Sequence, residues 1–199
     1  MRNGMDRRRW LRNCGWVAIG ATGGWLAPAA WDGWRQWGQA AAADADSPEE
    51  RIKQLNLSLP PSQPSRNPLA PAVRVGAMLY VSGHGPTGAD GKSVVGKLGQ
   101  DLDVKQGREA ARLVGLRILS VVRAELGSLN QVVRLVKALG MVNCTPDFTQ
   151  QPQVINGFSD LMVEVFGEQA GKGTRSAVGM SSLPGGIAVE IEALFQVRT

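Results

Sequence analysis

Histidine and tyrosine each occur once in the 199 residues, as His84 and Tyr80, and cysteine only twice. With one histidine the chain lacks the pair of imidazoles that would act as acid and base in cleaving RNA. Tryptophan is confined to the start: the six are Trp10, Trp16, Trp25, Trp31, Trp34 and Trp37, and none follows. What lies beyond residue 43 therefore has little on which to stack bases. Net positive charge is scarce there too. Of the formal +5, residues 1–43 carry +4 (six Arg against two Asp), which leaves +1 for residues 44–199. A nearly neutral core has no basic footprint for a phosphate backbone, so no nucleic-acid partner is expected.

Long apolar runs are missing as well. The best stretch, Trp16–Ala27, has about a dozen residues where a bilayer crossing needs about 20. It follows Arg7-Arg-Arg-Trp-Leu-Arg12. Two consecutive arginines, a bulky apolar pair and a basic residue ahead of a short apolar run resemble a twin-arginine export signal, which is removed rather than retained. The expected partner during export is the twin-arginine translocation machinery, and the expected destination is periplasmic or otherwise extracytoplasmic. Small residues offer processing sites at Ala27-Pro-Ala29 and within Ala40–Ala43. The competing reading, an amphipathic helix lying on a membrane, is opposed by the glycines and by the lack of a polar face. Cys14 would be lost on processing, leaving Cys144 with no intramolecular partner and the character of a small buried hydrophobe.

Three regions follow from composition: an export signal and flexible segment over 1–43, a Pro-rich arm over 44–72, and one domain over 73–199. The arm opens with a short helix, Pro48–Leu55, marked by proline and two acids at its start. Pro60, Pro61, Pro64, Pro68 and Pro71 then forbid regular structure, and the arm is expected to drape over the domain. Val73–Ser82 reads as a strand pair or one bent strand broken at Gly76. Asp103 caps a helix that runs to about Leu126, with Gly127 closing it. Val132–Val142 is a long β-branched strand. A second helix spans about Gln151–Phe166, with Val154, Phe158, Leu161, Met162 and Val165 on one stripe, and a glycine-rich loop is expected over Gly167–Gly173. Thr174–Met180 and Ala188–Val197 are strands. The last alternates cleanly, with Val189, Ile191, Ala193, Phe195 and Val197 on one face and Glu190 and Glu192 on the other. The order is β-β-α-β-α-β-β, an α+β domain.

Val75-Gly-Ala-Met-Leu-Tyr-Val-Ser-Gly83, Arg175-Ser-Ala-Val-Gly-Met-Ser-Ser-Leu-Pro184 and Val189-Glu-Ile-Glu-Ala193 resemble, in order and spacing, the three signature blocks of the RidA/YjgF family. The resemblance covers about residues 48–198. It implies a chorismate-mutase-like fold and a homotrimer with a barrel-like core, helices outside and ligand clefts between subunits. It also implies hydrolysis of a small carboxylate-bearing imine or enamine to a keto acid and ammonia, without metal or organic cofactor.

Arg175 is the first candidate, because a guanidinium is permanently charged and its planar fork matches a carboxylate through two bonds. The family's arginine at this place holds the substrate carboxylate. Glu190 stands where the family has a carboxylate near the hydrolytic water, and such a group can take a proton from water as it attacks an imine carbon. Gly83 matches a glycine whose backbone approaches the ligand, and Asn156 an asparagine near the cleft. His84, beside Gly83, is a further candidate acid or base. Glu192 shares the Glu190 face, but two carboxylates on one strand lack the opposed geometry of a glycosidase pair. Two cleft residues of the family have changed: its tyrosine aligns with Leu69 and its cysteine with Ala177. The alternative function is accordingly a non-catalytic ligand-binding or regulatory trimer. Ribonuclease activity, which older family names invoke, meets the absences set out above.

Overall fold

A computed structural model of the chain describes residues 47–62 and 68–199. The export signal read over residues 1–43, with Arg7, Arg8 and Cys14, lies outside the described residues. The elements are α1 (Pro48–Gln54), β1 (Ala72–Val75), β2 (Met78–His84), α2 (Val104–Leu126), β3 (Val132–Asn143), α3 (Gln151–Gly171), β4 (Thr174–Met180) and β5 (Val189–Val197). The five strands form one mixed sheet in the order β1-β2-β5-β3-β4; all neighbours are antiparallel except β3 and β4.

Local chemistry accounts for the boundaries. β1 and β2 form a hairpin that turns at Gly76, whose φ of 58° is left-handed. Asp103 and Gln106 cap α2 reciprocally: the Asp103 carboxylate accepts from Gln106 N–H at 2.8 Å, and Gln106 Oε1 accepts from Asp103 N–H at 2.9 Å. Gly127, at φ 77°, ends it. The glycine-rich loop expected after Phe166 is a helix instead. α3 bends at Gly167 (φ 79°) and winds on to Gly171, with Glu168 paired to Lys172 one turn later.

Both long helices cover one face of the sheet. Ala111, Val114, Ile118 and Val122 of α2 and Ile155, Phe158, Leu161 and Val165 of α3 are buried against Leu79, Ile191 and Phe195, all fully inaccessible. Each side chain of that size contributes about 1.5–3 kcal/mol on burial. The helices cross closely at Gly157, where a Cβ would overlap the backbone carbonyl of Arg108. Asn143, 4% exposed, is held by its amide to the carbonyl of Ile187 at 3.2 Å and by Lys97 Nζ at 3.0 Å. The bonds satisfy a buried polar group and tie the loop before α2 to the end of β3. Cys144 is buried and free, as a small hydrophobe would be.

The arm packs on the domain where it is described. Leu57 and Leu59 lie against the core, and Ser120 Oγ donates to the Pro60 carbonyl at 2.5 Å. α1 is tied more strongly. Arg123 donates to both Glu49 oxygens, at 3.1 and 2.6 Å, and Leu129 N–H donates to the same carboxylate at 2.8 Å.

Among the described residues, no helix covers the opposite face of the sheet. Strand registers place Val73, Val75, Tyr80, Leu139, Leu194 and Val178 there, of which Val75 is 62% and Tyr80 52% exposed.

Candidate functional site

β4 is an edge strand that follows α3 through the turn at Lys172-Gly173, so its first side chains lie beside the helix that precedes it. Arg175 pairs with Ala138 of β3, which pairs in turn with Ala193 of β5, and both alanines are buried under the helices. Directly opposed residues project from the same face. Arg175 therefore rises on the helix-covered face, half-buried, and reaches α3. Its Nη1 donates to Asn156 Oδ1 and to Ser159 Oγ, each at 2.9 Å. Asn156 and Ser159 are one helical turn apart and share a face of α3. Arg175 lines a cleft of about 390 Å³ between α3 and β4, together with Ser159, Asp160, Lys172 and Thr174. Asp160 is already engaged, at 2.5 Å from Arg108 Nη2.

Glu190 and Gly83 form a second cluster. Glu190 opposes Met141 on the uncovered face and is half-buried. Its carboxylate lies so close over Gly83 that a Cβ there would overlap the oxygen, with the carboxyl carbon at 3.0 Å. The absence of a side chain at residue 83 thus sets where the carboxylate sits. Glu192 is on the same face, exposed, in a groove of about 430 Å³ with Tyr80, Ser82, Lys137 and Leu139.

His84 belongs to neither cluster. A bulge between Val81 and His84 sets it opposite Ile191, on the helix-covered face. Its Nδ1 is 2.6 Å from the Ser82 carbonyl, which only accepts, so Nδ1 carries the proton and Nε2 is left as an acceptor. Burial pushes the imidazole below its usual pKa of 6.5; the bond to the Ser82 carbonyl opposes this and nearby Arg117 reinforces it.

The candidates thus fall into two groups in one chain. Arg175 and Asn156 meet, Gly83 and Glu190 meet, and the two pairs project from opposite faces. Glu190 is three residues along β5 from Ala193 and two strands across from β4. At about 3.3 Å per residue and 4.8 Å per strand, the backbones at 175 and 190 are about 14 Å apart. Ser159 was not visible as a candidate in the sequence. Its only signal is its place three residues after Asn156. Leu69 is 69% exposed, and Ala177 is half-buried against the core two residues beyond Arg175. No group of three or more metal-ligating side chains occurs among the described residues.

Residues 49–186 match the family model described as "YjgF/chorismate mutase-like, putative endoribonuclease". Protein TCP17 of Trypanosoma cruzi is 40% identical over 147 residues, which is 74% of this chain and 92% of that protein. A solved structure of a protein of unknown function from Agrobacterium tumefaciens is 39% identical with a TM-score of 0.69, covering 77% of this chain and 95% of that one. A "putative endoribonuclease" from Shewanella oneidensis MR-1 is 27% identical with a TM-score of 0.72, covering 76% of this chain and all of that one (100%).

Proposed function

The chain belongs to the YjgF/RidA-like family and has its chorismate-mutase-like α+β fold, and from that premise we propose that it hydrolyses a small carboxylate-bearing imine to a keto acid and ammonia. The observation that carries the reading is the electrostatic state of Arg175. Arg108, Arg112 and Arg123 each hold a carboxylate of the protein, whereas Arg175 lines a cleft with only the neutral oxygens of Asn156 and Ser159 as partners among the described residues. A guanidinium so placed suits a carboxylate that arrives from outside.

The second group supplies the chemistry. Glu190 takes a proton from water as the water oxygen bonds to the imine carbon, and the nitrogen gains a proton. The resulting carbinolamine passes its hydroxyl proton to the nitrogen as the carbon–nitrogen bond breaks, releasing ammonia and leaving the carbonyl of a keto acid. An enamine substrate enters after tautomerising to the imine. Because Arg175 and Glu190 leave one sheet from opposite faces, the working cleft takes Arg175 and Asn156 from one subunit and Gly83 and Glu190 from the next. The exposed apolar side chains Val73, Val75, Tyr80 and Val178 on the same face of the sheet as Glu190 support the homotrimer this needs, since exposed apolar side chains gathered on one face favour association. Export by the twin-arginine route, to the periplasm, belongs to the same proposal. Exchanging Arg7 and Arg8 for lysine is expected to keep the protein in the cytoplasmic fraction, and an unchanged periplasmic fraction would count against that route.

Leu69 and Ala177, in place of a cleft tyrosine and cysteine, favour a second reading in which the trimer binds carboxylates without turnover. The two readings separate in one assay. An amino-acid oxidase generates imines in the presence of the purified protein or its Arg175→Ala variant, and ammonia and keto-acid release are followed. Acceleration that the variant loses establishes the deaminase. No acceleration, with Arg175-dependent carboxylate binding, establishes the binding module.

A further inference from the structure

We infer that Ser159, together with Asn156, is a positioning residue that fixes the Arg175 guanidinium in one orientation and so dictates how the carboxylate is gripped. This rests on the carboxylate-clamp reading above. A guanidinium has five N–H donors: two on each terminal nitrogen and one on Nε. Both donors of Nη1 are spent, one on Asn156 Oδ1 and one on Ser159 Oγ, at 2.9 Å each. The two acceptors stand one turn apart on the same face of α3, so they hold Nη1 from two directions and stop the guanidinium plane from turning about the Cδ–Nε bond. Nε and Nη2 have no protein partner among the described residues. These two nitrogens form the side-on edge of the fork, whose N–H bonds run parallel and match the two oxygens of a carboxylate.

The end-on grip through Nη1 and Nη2 is closed, because Nη1 is saturated. The grip follows: a carboxylate lying in the guanidinium plane against the side-on edge. Ser159 and Asn156 act on the ligand only through Arg175. Removing either acceptor frees one Nη1 donor, lets the plane rotate and weakens the grip without removing any charge.

The test is pyruvate binding, followed by calorimetry, to the full-length protein and to Ser159→Ala, Asn156→Ala, Ser159→Thr and Arg175→Ala, with a melting temperature for each. Ser159→Ala and Asn156→Ala are expected to weaken binding by roughly tenfold each, the scale of one hydrogen bond to a charged group. Ser159→Thr, which restores a hydroxyl, is expected to stay within about threefold of the parent. A merely structural role for Ser159 would lower the melting temperature and would not be rescued selectively by threonine. If Arg175→Ala abolishes binding while both alanine variants on α3 bind as the parent does, the positioning role is overturned and the clamp stands. Equal weakening in Ser159→Thr and Ser159→Ala at unchanged melting temperature also overturns it, since the hydroxyl would then not be the cause. Unchanged binding in Arg175→Ala instead overturns the clamp itself.

Discussion

Replacing Gly83 with alanine should separate catalysis from stability. Its φ is not in the left-handed region, so alanine is compatible with the backbone. The added methyl would occupy the place of the Glu190 carboxylate, whose carbon is 3.0 Å from the ideal Cβ position. That carboxylate ends a flexible, half-exposed side chain and can rotate away at a cost of about 0.5–1.5 kcal/mol. Alanine restricts the unfolded chain more than glycine does and returns about 0.4–1 kcal/mol. The net change in stability is therefore within about 1 kcal/mol, a melting shift of no more than about 4 °C for a domain of this size. Catalysis has no such compensation. A positioned general base contributes about 100-fold or more, so kcat/KM for imine hydrolysis is expected to fall about 100-fold, or about 2.7 kcal/mol of transition-state stabilisation. The assay pairs steady-state ammonia release with a thermal melt. Activity within about threefold of the parent, in a protein where Glu190→Gln is inactive, would refute the placement of Glu190 by Gly83.

Other predictions concern the rest of the structure. Glu49→Ala removes a partly buried acceptor of four hydrogen bonds, two from Arg123 and one each from Ser128 Oγ and Leu129 N–H, and is expected to cost about 2 kcal/mol, read as a lower urea midpoint at unchanged slope. His84 titrates lower in the folded protein than its usual 6.5, chiefly because it is buried. Between the two values only the unfolded chain takes up the proton, so His84 leaves stability unaffected above pH 6.5 and reduces it as pH falls towards the folded value. His84→Gln should therefore lose less melting temperature between pH 7.5 and 5.5 than the parent, and an equal loss would show that the imidazole is not the source.

Much of this architecture is legible in the sequence because it rests on local periodicity. The strict alternation of Val189–Val197 gives both the strand and its buried face, and Asp103 marks the start of α2. The end of α3 is not legible. Gly167 carries the signature of a helix terminus, yet its left-handed backbone only bends the helix, and the chain resumes helical geometry to Gly171. Long-range facts are hidden for a different reason. Glu49 meets Leu129, 80 residues away, and no local pattern encodes that meeting. The same holds for the site. The sequence names Arg175, Asn156, Gly83 and Glu190, but which face each occupies depends on strand order. Only the pairing of Arg175 with Ala138 and of Glu190 with Met141 shows that one chain holds two half-sites.

The most direct measurement is therefore complementation between two inactive variants. Arg175→Ala and Glu190→Gln chains, differently tagged, are produced together, and mixed assemblies carrying both tags are isolated and assayed for imine hydrolysis. If each cleft draws Arg175 from one subunit and Glu190 from its neighbour in a ring of three, every mixed trimer holds one intact cleft of three, and about one third of parental activity returns. Mixed assemblies as inactive as either variant alone would contradict a cleft shared between subunits.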